Sequence, residues 1–346
     1  MKNNFEKEIN QMMNEEKEIP VNVRQSLDQS YNMIRAKAKK KKVNFIWKRV
    51  ATVACALIVT GVVLTNDQVM AGINNFFHFG DEGVEQAVNN GFTQENNRAA
   101  TDQDIKITLD HYFSDANKIG MRFQLAFEEP TVLKNVEDIS IDYRIKNGDG
   151  EYIEEFIPDT KPLKGENKYI SGLEYHLPIL DAKTGIIQFD VLMESHQGNI
   201  PALQNAMVEV ESVNIFYGTD KMKKIDGNWE LPVTNYNKEK LDSSVQYTMQ
   251  DADSIIQVSK ATANPTSLNL LFSLDGIHED ENMFAHGMKI IDEDGNEYYA
   301  DSGFSMDIKN NVTVISTNFP ITSYHNSEKL KLIIEGIGEV ELYKNK

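Results

Sequence analysis

Histidines and carboxylates are the residue types here that could do chemistry. The seven histidines are His78, His111, His176, His196, His278, His286 and His325. None stands in HExxH, the spacing that puts two ligands on one helix face, and none neighbours a cysteine. His278 and His286 bracket Glu279, Asp280 and Glu281, a set of metal-ligand types; a solvated acidic loop is the simpler account. Asp292-Glu293-Asp294-Gly295-Asn296 puts oxygen ligands before a glycine. It lacks the EF-hand spacing and its glutamate six residues on, so a hairpin turn explains it better. There is no phosphate-cradling glycine loop and no nucleophile elbow. The chain is therefore expected to be no enzyme, with no cofactor and no metal.

The chain's charge is divided. Residues 1–49 carry twelve Lys/Arg against six Asp/Glu, a net of +6, and the remainder carries 23 against 47, a net of −24. An acidic body of this kind argues against direct nucleic-acid binding. At the boundary, Lys37, Lys39, Lys40, Lys41 and Lys42 lead through Phe45, Ile46 and Trp47 to Lys48 and Arg49, and an uncharged run follows from Val50 to Leu64. That run alone rises about 22 Å as a helix, short of the roughly 30 Å hydrocarbon core. Phe45, Ile46 and Trp47 extend it, and Lys48 and Arg49 can snorkel to the headgroups. One transmembrane helix is predicted within 43–64. Lys39, Lys40, Lys41, Lys42, Trp47, Lys48 and Arg49 form its interface with membrane lipid. The lysines precede the span, so the N-terminus is expected in the cytoplasm and the C-terminal body outside the cell membrane. A cleaved signal peptide would need a far shorter leader than the 49 residues here, although Val69-Met70-Ala71 resembles a cleavage site. A lipoprotein would need its cysteine just after the apolar run; Cys55, the one cysteine, lies inside it.

Residues 1–42 read as a cytoplasmic helical arm. Phe5, Ile9, Met12 and Met13 stripe a first helix over 4–14, and Ile19-Pro20 interrupts it. Val23, Leu27, Tyr31 and Ile34 then recur at spacings of four, four and three, one face of a second helix. Helices this short are marginal alone in water, so that face wants a partner. The first helix, the inner membrane surface and another protein's groove all remain open.

Beyond the span, 65–104 is expected to be a juxtamembrane segment, with a short helix from Asp81 to Asn90 ended by Gly91 and a polar stretch after it. From Ile105 the period becomes two: Ile105, Ile107 and Leu109, then Ile119 to Phe127, then Ile139 to Ile145. These are half-buried strands, and Asn147-Gly148-Asp149-Gly150 is a hairpin signal. The pattern recurs. At an offset of 149, Ile107, Leu109, Ile119, Met121, Phe123 and Leu125 meet Ile256, Val258, Leu268, Leu270, Phe272 and Leu274. Gly150 meets Gly295 at an offset of 145. The fold class predicted is mainly β. A helical arm and one transmembrane helix precede two antiparallel, immunoglobulin-like β-sandwich domains at 105–217 and 218–346.

Three stretches carry a resemblance. They are EIPVNVRQSLDQSYNMIRAKAKK with WKRVATVACALIVTGVVL; VEQAVNNGFTQ with DIKITLDHYFSDANKIGMRFQLAF; and GNWELPV, Gly227 to Val233. Together they resemble the DUF4179-containing membrane proteins of Gram-positive bacteria, with a C-terminal half that looks like DUF5643. The resemblance implies an anti-sigma factor whose arm sequesters an extracytoplasmic-function sigma factor while the body senses the envelope. It implies no catalytic or ligand residues. The arm has no histidine or cysteine, so the likeness is to a class that does not use zinc. The rival expectation is a tethered surface protein whose β-domains bind an exterior ligand, a wall component or partner protein.

Overall fold

The computed structural model describes residue 77 and residues 79–345, apart from 182–183, 218–220, 235–242, 252 and 301–302. The arm at 1–42 and the predicted span at 43–64 lie outside the described residues. Among the described residues, no helix is long and apolar enough to cross a membrane. Mainly β structure is what the described part shows. It has two short α-helices, α1 (Glu82–Asn89) and α2 (Glu281–Gly287), and eighteen strands, every pair of them antiparallel.

The first half is built from β1 (Gln94–Asp102), β2 (Ile105–Ser114), β3 (Lys118–Phe127), β4 (Asp138–Lys146), β5 (Tyr152–Phe156), β6 (Gly172–Asp181), β7 (Ile186–Glu194), β8 (Met207–Phe216) and β9 (Met222–Pro232). One sheet runs β1-β2-β3-β7-β6 and the other β5-β4-β8-β9. The predicted inward residues Ile107, Leu109, Met121, Phe123, Ile141 and Tyr143 are all buried in one core fed by both sheets. Alternation works here because each sheet presents only one face to that core.

Two boundaries differ from the prediction. The stretch read as polar juxtamembrane chain contains β1, which pairs with β2 along its length. Its sequence, QENNRAATD, hides it: an edge strand needs little apolar surface, and a shift in register between Glu95 and Arg98 breaks the alternation. At the other end, β9 pairs with β8 and belongs to the first half, not to a domain starting at 218. Trp229 of β9 is fully buried in the first core and donates from Nε1 to the Ile105 carbonyl at 2.9 Å. A Cβ on Gly227 would lie 2.4 Å from that indole ring, which explains the glycine.

The second half comprises β10 (Val245–Met249), β11 (Ile256–Ala263), β12 (Leu268–Asp275), β13 (Met288–Asp292), β14 (Glu297–Tyr299), β15 (Phe304–Lys309), β16 (Val312–Phe319), β17 (Lys329–Ile334) and β18 (Gly338–Lys344). Adding nine to each strand of the first half reproduces its order. The second half is one continuous sheet because Val245 and Gln246 of β10 pair with β11 while Tyr247 to Met249 pair with β18. In the first half side chains bridge that seam instead: Asn96 Nδ2 donates to the Pro232 carbonyl at 3.1 Å.

The repeat extends to fine geometry. Ile107 pairs with Leu125 and Leu109 with Phe123; Ile256 pairs with Leu274 and Val258 with Phe272. A register shift follows Leu109 in one hairpin and Val258 in the other. Gly150 and Gly295 both sit at φ 85°, closing turns in which Asn147 Oδ1 and Asp292 Oδ1 each accept two backbone N–H groups. At φ that positive a side chain is strained, so glycine is required at both places.

Glu154, on edge strand β5, is 7% exposed. Burial pushes its carboxyl up to about 7. An acid raised in this way holds a proton in the folded state that the unfolded chain releases, so its contribution is present at low pH and lost as pH rises toward about 7. Glu154→Gln is expected to stabilise the protein by about 1–3 kcal/mol at pH 8 and by nothing near pH 4.5, read from denaturant unfolding at both pH values. Trp229→Ala is expected to cost about 3–5 kcal/mol by the same measurement, through the cavity it leaves.

Candidate functional site

The predicted partner face, Val23, Leu27, Tyr31 and Ile34, lies outside the described residues, as does the interface set at Lys39 to Lys42, Trp47, Lys48 and Arg49. The candidates His278, His286, the acids at 279–281 and those at 292–294 are described, and among the described residues they do not come together as a metal site. His278 Nε2 lies 3.0 Å from the Asp275 carbonyl, and Asp280 caps α2. Asp292 Oδ2 lies 3.3 Å from His325 Nε2 and, within its own turn, also accepts from Asn296 Nδ2 at 2.8 Å and the Tyr298 hydroxyl at 3.0 Å. Burial alone would raise the Asp292 carboxyl, but these bonds outweigh it and hold it below its ordinary value. Among the described residues, no group of three or more His, Cys, Asp or Glu could hold a metal ion.

The fold instead brings together the turns of the two repeated hairpins. In the first, Asp115 N donates to the Lys118 carbonyl at 3.0 Å; in the second, Asn264 N donates to the Ser267 carbonyl at 2.8 Å. These turns occupy equivalent places in the repeat and meet each other. Asp115 Oδ1 accepts from Asn117 N and Lys118 N at 2.8 and 2.9 Å. Its Oδ2 reaches across to accept from Thr266 N and Thr266 Oγ1 at 2.8 and 2.7 Å. Asn117 Nδ2 donates to the Ser267 carbonyl and Oγ at 2.8 and 2.9 Å, and Asn117 Oδ1 accepts from Asn264 Nδ2 at 2.9 Å. Asn117, Thr266 and Ser267 are fully buried. Burial pushes the Asp115 carboxyl above its ordinary value, and the bonds it accepts only partly offset this.

Beside the turns a second set of bonds crosses the junction. Asn318 Nδ2 donates to Glu194 Oε1 at 2.6 Å and to the Ser195 carbonyl at 3.0 Å. Asn269 Nδ2 donates to the His196 carbonyl at 2.7 Å. Gly198, at φ 62°, leaves room for the side-chain oxygens of Asn269 and Asn117, which a Cβ would meet within 3 Å.

Helix α1 closes the junction from one side. Asp81 caps it, Oδ1 accepting from Val84 N at 2.9 Å, while Oδ2 pairs with the buried Lys118 ammonium. Lys118 also faces Glu194 Oε1 at 3.7 Å. Burial disfavours the Lys118 ammonium, but Glu194 and Asp81 together outweigh it and raise its pKa above the ordinary value. The helix ends in a Schellman motif: Gly91 N donates to the Val88 carbonyl and Phe92 N to the Ala87 carbonyl. Phe77, Phe79, Val84, Val88 and Phe92 pack on Phe113 of β2 and Leu192 of β7, with Tyr324 of the second half against them. Gly83 sits on the second turn, where an added Cβ would lie 2.1 Å from the Thr266 carbonyl oxygen. Thr322 Oγ1 donates to Gln86 Oε1 at 2.7 Å.

An open cleft of about 290 Å³ lies elsewhere, lined by Tyr152, Lys164, Gly165 and Lys168 among others. Lys164 and Lys168 are paired with Glu209 and Glu151, so the cleft offers no uncompensated positive charge.

A family model described as "Domain of unknown function (DUF4179)" matches residues 40–126. The chain carries a DUF4179 domain. Its match begins in the lysine block and ends within β3, taking in α1, β1, β2 and the first of the two turns. No match was found among curated proteins. Among solved structures, "The crystal structure of the conserved domain protein from Bacillus anthracis" is similar at 15% identity, covering 70% of this chain and 77% of that chain with a TM-score of 0.44.

No motif singles out Asp115, Asn117, Lys118 or Glu194 in the sequence. The usable signal is the repeat itself: aligning the hairpins sets Asp115-Ala116-Asn117-Lys118 against Asn264-Pro265-Thr266-Ser267, but it does not show that the turns touch. Lys118→Met should lower stability by about 3–5 kcal/mol in denaturant unfolding, because two buried carboxylates lose their counter-charge. Lys161→Met, which breaks the half-buried Lys161–Glu211 pair at 2.8 Å, should lower it by less than about 1 kcal/mol.

Proposed function

We propose that this protein is a single-pass membrane regulator of the anti-sigma-factor kind. Its cytoplasmic arm holds an extracytoplasmic-function sigma factor through Val23, Leu27, Tyr31 and Ile34, and its C-terminal body senses the envelope outside the cell. The observation that carries the reading is the extent of the DUF4179 match, 40–126, which joins the basic flank, the apolar run and the first β-hairpin in one family unit. A unit that spans those three pieces suits transmission along the chain. The Lys/Arg block at 37–49, with no Lys or Arg in Thr65 to Gln68 just after the apolar run, supports the orientation with the arm inside.

The strand order supports an immunoglobulin-like layout within this reading. With β1 set aside, β2-β3-β7-β6 and β5-β4-β8-β9 follow the ABED and C′CFG sheets of that fold. The DUF5643 likeness applies to the second nine-strand repeat. Neither sheet needs a catalytic set for this role, and the protein is proposed to act without catalysis, cofactor or direct nucleic-acid contact.

The alternative is a tethered surface protein whose body binds a wall component or a partner protein. A transcriptional reporter for the sigma factor separates the two. Leu27→Asp with Ile34→Asp should abolish repression, and so should deletion of residues 1–36 with the basic flank retained. Full repression by either variant, correctly inserted and normally expressed, would sink the regulator and favour the tether.

A further inference from the structure

We propose that residues 77–92 form a latch whose seating and the integrity of the junction between the two β-repeats are one cooperative event. This goes beyond the regulator reading and does not depend on the identity of any cytoplasmic partner. Three facts carry it. First, α1 has eight residues, too few to persist as a helix away from the body. It is either seated or unfolded. Second, its seat straddles both repeats. Asp81 and the Phe77 and Phe92 rings rest on the first, while Gly83 and Gln86 rest on Thr266 and Thr322 of the second. Third, the seat and the junction share groups. Lys118 pairs with Asp81 of the latch and, through its backbone N–H, with Asp115 of the junction; Thr266 meets Gly83 on one side and Asp115 on the other.

Unseating α1 therefore strips Lys118 of one counter-charge and uncovers the Thr266 turn. Conversely, parting the turns removes half the floor on which α1 rests. Coupling between two such events is reciprocal by necessity. Release would also free the segment from Phe77 to Phe92 as an extended tether of up to roughly 50 Å. A ligand that parts the repeats would thus slacken the chain leading back toward the apolar run, and tension on that chain would loosen the repeats.

Gly83 gives a selective test. Alanine is the better helix former, so Gly83→Ala does not weaken α1 as a helix. It only forces α1 off the Thr266 carbonyl. The measurement is amide hydrogen exchange on the full chain in detergent micelles. For Gly83→Ala, the amides of Val84 and Glu85 in α1 should exchange about tenfold faster or more. So should Asn117, Lys118 and Thr266 in the turns, and by a similar factor, while β4 and β13 keep wild-type protection. Gln86→Ala, which removes the Thr322 hydrogen bond without a steric clash, should shift the same amides in the same direction and covers the case that Gly83→Ala does not fold. Asn117→Ala should reciprocally speed the α1 amides. The exposed control Asn89→Ala should change neither set. Faster exchange confined to α1, with the turn amides unmoved in both latch variants, would overturn the proposal. No change at any of these amides would also overturn it. Neither result bears on the sigma-factor reading, which the reporter tests separately.

Discussion

The Asp115 carboxylate is the constraint on which the described structure turns. A buried carboxylate is costly unless donors converge on it. Here four do, two from its own turn and two from Thr266 in the other repeat. The Thr266 pair reaches it only while the turns are held together. The bonds of Asn117, Asn269 and Asn318 fix that approach, and the Lys118 cluster ties it to α1. An apolar junction could slide; a junction of directional bonds between buried groups has one good arrangement.

The repeat explains why such a junction can form. Two copies of one hairpin place equivalent turns at equivalent ends, so they can face each other much as identical patches do across a two-fold axis. Identical residues would set like against like, acid opposite acid. The turns differ where it matters. Asp115 stands at the place of Asn264, Asn117 at that of Thr266, and Lys118 at that of Ser267. One turn brings the acceptor carboxylate and the other brings N–H and hydroxyl donors. The positions repeat and the chemistry is complementary.

The DUF4179 match and the folded units do not share a boundary. The match stops at Ala126, while the first nine-strand unit closes only with Trp229, whose indole fills the core far along the chain. The matched region thus holds α1 and the first turn but depends for its fold on strands beyond it. A sequence unit of this kind follows what is retained between relatives, not what can fold alone.

Sequence alone determined the strands with one buried face. Period-two alternation follows from the pleat, so Ile105 to Ile145 could be read directly, as could α1 from its Gly91 stop. The repeat, the Asn147 and Asp292 turns and the charge division were legible for the same reason: each is a local pattern. What tertiary structure decided was everything set by contact across distance. Strand β1 earns its place by pairing at an edge, not by hydrophobicity, and β9 by the reach of Trp229 into a core laid down by earlier strands. Asp115, Lys118 and Glu194 look like ordinary surface residues in sequence. Only folding buries them together, because burial belongs to a position in space, and a residue's type records it poorly when a charge is balanced by partners such as Thr266, some 150 residues away.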